Sequence, residues 1–219
     1  GMKMAARRII VLGGSGFVGR ALVARLAAQG DTVVVPVRRR APARHLILLP
    51  TVDVVEADVH DPATLAALVR GADAVVNLVG ILNESGRTTF ARVHADLARS
   101  TVDACRAGGV RRLLHMSALN ADPAGPSRYL RSKGEAEAAV VASGLAWTIF
   151  RPSVIFGAGD SFLTLFARLA RALPVIALAA PDARFQPVHV GDVVTAFARS
   201  LDLPSTEGRR FDLCGPTVY

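Results

Sequence analysis

The sequence predicts an α/β fold, in which a doubly wound parallel sheet carries helices on both faces. Short runs of branched apolar residues, such as IIVL at 9–12 and TVVVPV at 32–37, alternate with longer amphipathic segments. Strands and helices that alternate in this way form parallel sheets through right-handed crossovers. The chain has 219 residues, of which 51% are hydrophobic, and can therefore bury a sizeable core. We expect one globular domain, 1–219.

The hydrophobic periodicity places each element in turn. Predicted strands cover 7–12, 32–37, 52–57, 73–78, 111–116 and 146–150. Predicted helices cover 17–29, 62–70, 88–107 and 127–143. Beyond residue 152 the alternation is less regular, with a helix expected at 161–172, short strands near 175–178 and 185–188, a helix at 191–201 and a last strand near 209–213.

The composition limits the kinds of molecule that the protein is expected to bind. The net charge is +8, and it comes almost wholly from arginine. Such a surplus fits nucleic acid, anionic lipid or a phosphate-bearing ligand, as well as a solvated basic surface. No helix-turn-helix, zinc-finger or aromatic-basic motif is present, and only 5% of the residues are aromatic, which leaves little for base stacking. We favour the solvated surface and expect no nucleic-acid partner.

The cysteines and histidines predict neither a disulfide nor a metal site. Cys105 and Cys214 lie far apart without CxxC spacing, and the five histidines are scattered singly. We expect both cysteines to be core residues.

The apolar segments do not predict a membrane span. The run at 9–12 is too short for a span or a secretory signal, so we expect a cytoplasmic protein. The segment 162–180, in which Arg168 and Arg171 interrupt apolar residues, fits attachment to a membrane surface or packing against the sheet. We favour packing, and we leave a homo-oligomer open.

A glycine motif follows the first predicted strand. Gly14, Gly16 and Gly19 form G-x-G-x-x-G at the point where the first helix begins. In a Rossmann arrangement the first glycine permits the tight turn, the second lets backbone N–H groups approach a pyrophosphate, and the third lets the helix pack closely on the strand. The helix N-terminus adds partial positive charge. The motif therefore predicts dinucleotide binding, with a merely connecting turn as the alternative.

The end of the second strand indicates which dinucleotide is bound. The acidic residue that would hold the ribose hydroxyls of NAD is missing, and the sequence reads VVVPVRRR, with Arg38 and Arg39 in its place. A guanidinium can bind the extra phosphate of NADP. We therefore predict NADP(H), with NAD(H) as the alternative, while a solvated loop explains the same residues without a ligand. Asp58 is expected either to meet the adenine edge or to cap the following turn.

A second motif carries chemistry. Tyr129 and Lys133 form Y-x-x-x-K at the start of a predicted helix, where residues four apart share one face. A neighbouring cation stabilises a phenolate, which makes tyrosine a usable acid or base. Ser117 follows the fifth strand, and the carboxyl ends of parallel strands are where ligands bind. We expect these three residues to converge.

Together these motifs resemble the short-chain dehydrogenase/reductase superfamily, in its extended or atypical form (NAD-dependent epimerase/dehydratase). The resemblance rests on GGSGFVG, NLVG at 77–80, HMSAL at 115–119, YLRSK at 129–133, FRPSVIFGAGD at 150–160 and PVHVGDVVTAF at 187–197. It is strongest to bacterial relatives of the 39 kDa accessory subunit of respiratory complex I. The resemblance implies that Ser117 orients a substrate oxygen, Tyr129 is the general acid/base, and Lys133 binds the nicotinamide ribose and lowers the tyrosine pKa.

The same resemblance and the motifs above imply a set of cofactor contacts. These are Gly13, Gly14, Ser15, Gly16, Phe17, Val18 and Gly19, Arg38 and Arg39, Asp58 and Val59, Asn77, Leu78, Val79 and Gly80, Lys133, and Pro152, Ser153 and Val154.

Two features depart from the family pattern. His94 stands where many members carry an asparagine that supports the lysine through water, and the alternative is a partly buried helix residue. The chain also stops at CGPTVY, so we expect residues 151–219 to form only a small, partial substrate-binding region.

Two functions fit these motifs. The first is an NADP(H)-dependent oxidoreductase or epimerase that acts at a secondary alcohol or ketone of a small or nucleotide-linked substrate. The second is a non-catalytic NAD(P)H-binding accessory or sensor protein. The intact Ser117, Tyr129 and Lys133 favour the enzyme.

Overall fold

The computed structural model describes residues 6–39, 46, 49–157 and 187–215. Its main sheet has seven strands in the order β3-β2-β1-β4-β5-β6-β9, and every neighbouring pair is parallel. The strands are β1 Arg8–Leu12, β2 Thr32–Val37, β3 Val52–Glu56, β4 Ala74–Asn77, β5 Arg112–Met116, β6 Ala146–Pro152 and β9 Arg209–Leu213. Two short strands, β7 Ile155–Phe156 and β8 Val188–His189, form a separate parallel pair.

Five α-helices connect and cover these strands in the described ranges. They are α1 Phe17–Ala28, α2 Pro62–Val69, α3 Leu97–Ala107, α4 Arg128–Val141 and α5 Val190–Ser200. A π-helix, Ala91–Asp96, leads directly into α3, and a 3₁₀ helix spans Pro204–Thr206. Local side chains start two of the helices: Asp61 accepts a hydrogen bond from the Thr64 N–H at the start of α2, and Ser127 accepts one from the Leu130 N–H at the start of α4.

The sheet separates two apolar cores, as a doubly wound fold requires. On one face, Ile9 of β1 packs with Leu22 of α1 and Phe197 of α5. On the other face, Ile10 and Leu12 of β1 pack with buried residues of α2, α3 and α4, which are Leu65, Leu97, Cys105 and Val140. Successive residues of β1 thus point to opposite faces, and both faces are buried, which explains the uninterrupted apolar run at 9–12.

The predicted fold class is confirmed, with some corrections to the elements. The helix expected over 88–107 is divided by the π-helix, and the strand expected over 146–150 continues to Pro152. Cys105 is buried, but Cys214 is exposed, so the expectation of two core cysteines is wrong for Cys214. The helix expected at 161–172, the strand near 175–178 and the apolar segment 162–180 lie outside the described residues. Among the helices in the described ranges, none is both long and apolar enough to cross a membrane.

Candidate functional site

The site lies where the strand order of the sheet reverses. β1 and β4 are neighbours at the centre of the sheet, β2 continues from one side of this pair and β5 from the other. The crossover helices leave in opposite directions from such a point and open a crevice at the carboxyl ends of the strands. The glycine turn at 13–19 follows β1, and the segment 77–80 follows β4. Both predicted cofactor loops therefore border this crevice.

Three glycines of the turn are required by the backbone and its packing. A Cβ on Gly14 would lie 2.9 Å from the Val35 Cγ1. Gly13 has φ +79°, a conformation that L side chains rarely adopt, and a Cβ there would lie 3.0 Å from the backbone carbon of Leu78. A Cβ on Gly19 would collide with the Gly13 carbonyl oxygen and lie 2.6 Å from the Gly14 Cα. Gly13 thus makes the turn, a role that the motif assigns to Gly14. Gly14 instead allows close approach to Val35 of β2, and Gly19 lets α1 pack against the turn.

Gly16 is different, because the fold itself has room for a side chain there. It is exposed, has φ −76° as the residue before α1, and an added Cβ would approach only the Gly13 carbonyl oxygen, at 3.4 Å. Among the described residues, no side chain caps α1, and the first turn of the helix holds no acidic residue. The positive end of the helix therefore faces the crevice with no carboxylate of its own to neutralise it, as an anion-binding turn requires.

The residues predicted to meet the adenosine half lie along the neighbouring strand ends. Arg38 and Arg39 follow β2 and are both exposed. Asp58, which follows β3, is exposed and accepts a hydrogen bond from the His60 N–H at 3.0 Å. Asp58 therefore caps the turn before α2, and a second carboxylate oxygen remains for other contacts.

The remaining predicted cofactor residues line the ends of β4 and β6. Asn77 is buried, and its side-chain oxygen accepts a hydrogen bond from the Val79 N–H at 3.1 Å, which fixes the turn after β4. The other residues at these two strand ends are half-buried or buried, namely Leu78, Pro152, Ser153 and Val154. Elsewhere along the crevice, Val18 on α1 is buried, Val59 after β3 is half-buried, and Phe17 at the start of α1 is 38% exposed.

Lys133 lies in the crevice beside Gly80. Its side chain projects from α4, is buried, and reaches within 3.0 Å of the position that a Cβ would take on Gly80. Burial lowers the pKa of Lys133 to about 8, and the nearby Glu137 carboxylate opposes this shift. In the described part of the chain, the ammonium group forms no hydrogen bond or ion pair with a protein group. Its donors are thus available to a ligand.

Tyr129 lies one helical turn before Lys133 on α4. Its ring packs edge-on against Phe90 and His94, with centroid distances of 5.7 and 5.5 Å. Burial raises the pKa of Tyr129 to about 12, which is opposite to the lowering expected from Lys133. The reason is that the low-dielectric surroundings disfavour the charged phenolate. Tyr129 is therefore protonated at neutral pH.

His94 is more deeply buried than expected, since the sequence suggested at most a partly buried helix residue. It lies in the π-helix, is 2% exposed, and its Nε2 accepts a hydrogen bond from the Ile81 N–H at 3.0 Å. Its Nδ1 lies 2.8 Å from the Ser132 Oγ. Burial, together with Lys133, lowers the pKa of His94 to about 2, so the ring is neutral.

Ser117 has a partner that sequence reasoning missed. Its hydroxyl donates to the Glu137 carboxylate at 2.5 Å. Glu137 is 2% exposed and also accepts hydrogen bonds from two N–H groups of Arg151, the shorter at 2.7 Å. It forms an ion pair with the Arg210 Nε at 3.1 Å. Glu137 follows Lys133 by four residues, as Lys133 follows Tyr129. This spacing was the signal in the sequence that could have placed Glu137 on the same face of α4. With its proton directed at Glu137, Ser117 offers lone pairs rather than a donor to the crevice.

Comparison with known proteins assigns the family. Residues 13–160 match a family described as NAD(P)H-binding. The chain belongs to this NAD(P)H-binding family. The match begins at the glycine turn and includes Tyr129 and Lys133.

The relatives of this NAD(P)H-binding protein have differing names. The chain is 34% identical over 218 residues to the mitochondrial NADH dehydrogenase (ubiquinone) 1 alpha subcomplex subunit 9 of Arabidopsis thaliana, with 95% of this chain and 54% of the relative covered. It is also 34% identical over 195 residues to the ceramide reductase of Caulobacter vibrioides, with 88% and 61% covered. The chain thus spans between half and two thirds of the length of these relatives.

Solved structures show the same fold. A putative NAD-dependent epimerase/dehydratase from Bacillus halodurans superposes with a TM-score of 0.77 at 23% identity, covering 97% of this chain and 96% of that one. The resemblance predicted from the sequence is thereby confirmed at the level of family and fold. The NAD(P)H-binding assignment agrees with the open Gly16, the uncapped α1 and the buried Lys133, because a pyrophosphate and a ribose need this backbone, dipole and donor set.

Proposed function

We propose that the protein is an NADP(H)-dependent oxidoreductase or epimerase that acts at a secondary alcohol or ketone of a small or nucleotide-linked substrate. One observation carries this proposal: Lys133 and Tyr129, one helical turn apart on α4, border the same crevice as the Gly80 segment and the glycine turn. A proton donor and a cation that binds ribose are thus available at the end of the sheet where a nicotinamide ring would lie.

The side chains have distinct tasks in this proposal. The nicotinamide, when bound, supplies or accepts the hydride. Tyr129, whose pKa of about 12 keeps it protonated, donates the proton to the substrate oxygen. Lys133 binds ribose hydroxyls with its ammonium group, which forms no hydrogen bond to another described residue. A charged Lys133 near the ring also stabilises negative charge that develops on the phenol oxygen during the transfer.

The preference for NADP(H) is supported by the end of β2. Arg38 and Arg39 are exposed there, and no carboxylate occupies either position. A guanidinium forms charge-assisted hydrogen bonds to a phosphate, whereas a carboxylate in this place would favour the ribose hydroxyls of NAD.

Turnover tests the enzymatic proposal. NADPH oxidation should be followed with a panel of aliphatic, aromatic and nucleotide-linked ketones, for the unaltered chain and for Tyr129→Phe. We expect Tyr129→Phe to lower kcat by about 10²- to 10⁴-fold while the Kd for NADPH stays the same, because only the transferring proton is lost. Lys133→Ala should impair both quantities. Equal rates in the unaltered chain and Tyr129→Phe would contradict the role of Tyr129.

A non-catalytic NAD(P)H-binding accessory or sensor protein is the second candidate. The hydrogen bond from Ser117 to Glu137 favours it, because a serine that polarises a ketone has to donate its proton to the substrate instead. The similarity to a subunit named for the NADH dehydrogenase complex supports the same candidate. This candidate predicts tight NADPH binding without oxidation of NADPH by any ketone of the panel.

A further inference from the structure

His94 takes part in a chain of hydrogen bonds that all run in one direction. The Ile81 N–H donates to the His94 Nε2, which must therefore carry no proton. The proton of the neutral ring is then on Nδ1 and points at the Ser132 Oγ, 2.8 Å away. Ser132 in turn donates to the Tyr129 carbonyl oxygen at 2.8 Å. The network thus selects one tautomer and leaves no polar atom of the ring without a partner.

This chain of hydrogen bonds joins two parts of the crevice that are distant in sequence. Ile81 follows Gly80 in the segment after β4, whereas Ser132 lies on α4 between Tyr129 and Lys133. A Cβ on Gly80 would lie 3.0 Å from the Lys133 Nζ and 3.7 Å from the His94 Nε2, so the ring, the ammonium group and the Gly80 backbone are in close proximity.

The surroundings hold the ring in one orientation. Phe90 stacks on His94 with an interplanar angle of 14° and a centroid distance of 5.7 Å, and Tyr129 meets the ring edge-on at 83°. His94 lies in the π-helix, and π-helical turns occur frequently at functional sites. A rotation of the ring would break both hydrogen bonds and leave buried polar groups unpaired, which is costly.

We propose that His94 is a positioning residue for the nicotinamide half of the dinucleotide. Its neutral ring fixes the Gly80–Ile81 segment against Ser132, and so sets the distance between that segment and the two side chains on α4 that face the ligand, Lys133 and Tyr129. This inference rests on the proposed function. It predicts that His94 acts on the ribose and nicotinamide and has no effect on the adenosine half, which lies beyond the glycine turn.

The test compares two ligands. NADPH contains both halves of the dinucleotide, and ADP contains only the adenosine half with its pyrophosphate. Both should be titrated calorimetrically into the unaltered chain and into His94→Ala, with thermal unfolding by circular dichroism as a check of folding. We expect His94→Ala to weaken NADPH binding by about tenfold and ADP binding by less than about twofold, since the loss of two buried hydrogen bonds acts on one half only.

Conservative variants distinguish a positioning role of the His94 ring from a role in filling space. The terminal oxygen of Gln reaches the place of Nε2 and can accept from the Ile81 N–H, so His94→Gln should restore NADPH affinity to within about threefold of the unaltered chain. Ser132→Ala removes the partner of Nδ1 without altering the ring and should weaken NADPH but not ADP, even if His94→Ala does not fold. Asp96→Ala, at an exposed position of the same π-helix, is the control and should change neither affinity.

Two results would overturn this inference and leave the proposed function intact. One is an equal loss of NADPH and ADP affinity in folded His94→Ala and Ser132→Ala, and the other is no loss of affinity in either variant. An NADPH affinity of His94→Gln as weak as that of His94→Ala would overturn it as well. If the unaltered chain binds ADP but not NADPH, both the inference and the proposed function are overturned.

Discussion

The Lys133 ammonium group lies 3.0 Å from the position that a Cβ would occupy on Gly80. Because Gly80 has no side chain, the Lys133 ammonium group on α4 can come close to the backbone of the segment that follows β4. The side chain of Lys133 is buried, so it has little room to move aside.

Gly80→Ala is the first prediction. The added methyl group should displace Lys133 and weaken NADPH binding by about tenfold, because overpacking forces the buried side chain from its position. The backbone angle of Gly80 is open to any residue, so the protein should still fold. Calorimetric titration measures the affinity. Combining Gly80→Ala with Lys133→Ala should cost no more than Lys133→Ala alone, and additive losses would show that the methyl group acts elsewhere.

The second prediction contrasts two glycines of the same turn. Gly16→Val should abolish dinucleotide binding in a folded protein, since the fold leaves room for a side chain there but a pyrophosphate would not. Gly19→Ala should instead destabilise the protein, because its Cβ would lie 2.6 Å from the Gly14 Cα. Urea denaturation and NADPH titration of both variants measure these effects. NADPH binding by Gly16→Val at the affinity of the unaltered chain would mean that the turn serves only as a connection.

The different roles of these glycines mark what could be predicted from the sequence. Apolar runs and G-x-G-x-x-G report on local backbone and burial, so the places of the strands along the chain and of the glycine turn could be predicted from them. The Glu137 carboxylate could not be assigned, because its partners come from the ends of β5 and β6 and from β9, which meet only in the folded sheet. The pKa of Tyr129 was predicted in the wrong direction, because spacing along a helix indicates neighbours but not the depth of burial.

The third prediction concerns the buried charge of Lys133. Burial lowers its pKa from 10.5 to about 8, so above pH 8 the unfolded chain holds a proton that the folded chain has released. Stability should then rise with pH between about 8 and 10, by at most about 1.4 kcal/mol per pH unit from this group. Urea denaturation across this range measures the free energy of unfolding.

Lys133→Met supplies the reference for that measurement. Cys105 and Tyr129, whose pKa values burial raises to about 12, affect stability at high pH in both proteins alike, so the difference between the two curves isolates Lys133. We expect Lys133→Met to be the more stable protein at pH 7 and to bind NADPH more weakly, since the cation serves the ligand rather than the fold. A difference that does not change with pH would contradict the lowered pKa.

The fourth prediction concerns the ion cluster around Glu137. Glu137→Gln should reduce the free energy of unfolding by about 3 kcal/mol, because Arg151 and Arg210 then lose the carboxylate that neutralises them. Glu135→Gln is the matched control on the same helix: its carboxylate is 48% exposed and lies 3.8 Å from Arg99, so its loss should cost less than about 0.5 kcal/mol. Equal losses in the two variants would contradict a stabilising role of the ion cluster around Glu137.

The central claim is that the crevice at the carboxyl ends of β1 and β4 binds a dinucleotide, and that Arg38 and Arg39 select the phosphorylated form. Calorimetric titration of the unaltered chain with NADPH and NADH tests this claim most directly. We expect one site per chain, a lower Kd for NADPH than for NADH, and a reversal of that order in Arg38→Asp, where the new carboxylate repels the phosphate and accepts hydrogen bonds from ribose hydroxyls. No binding of either dinucleotide, or tighter binding of NADH by the unaltered chain, would contradict the claim.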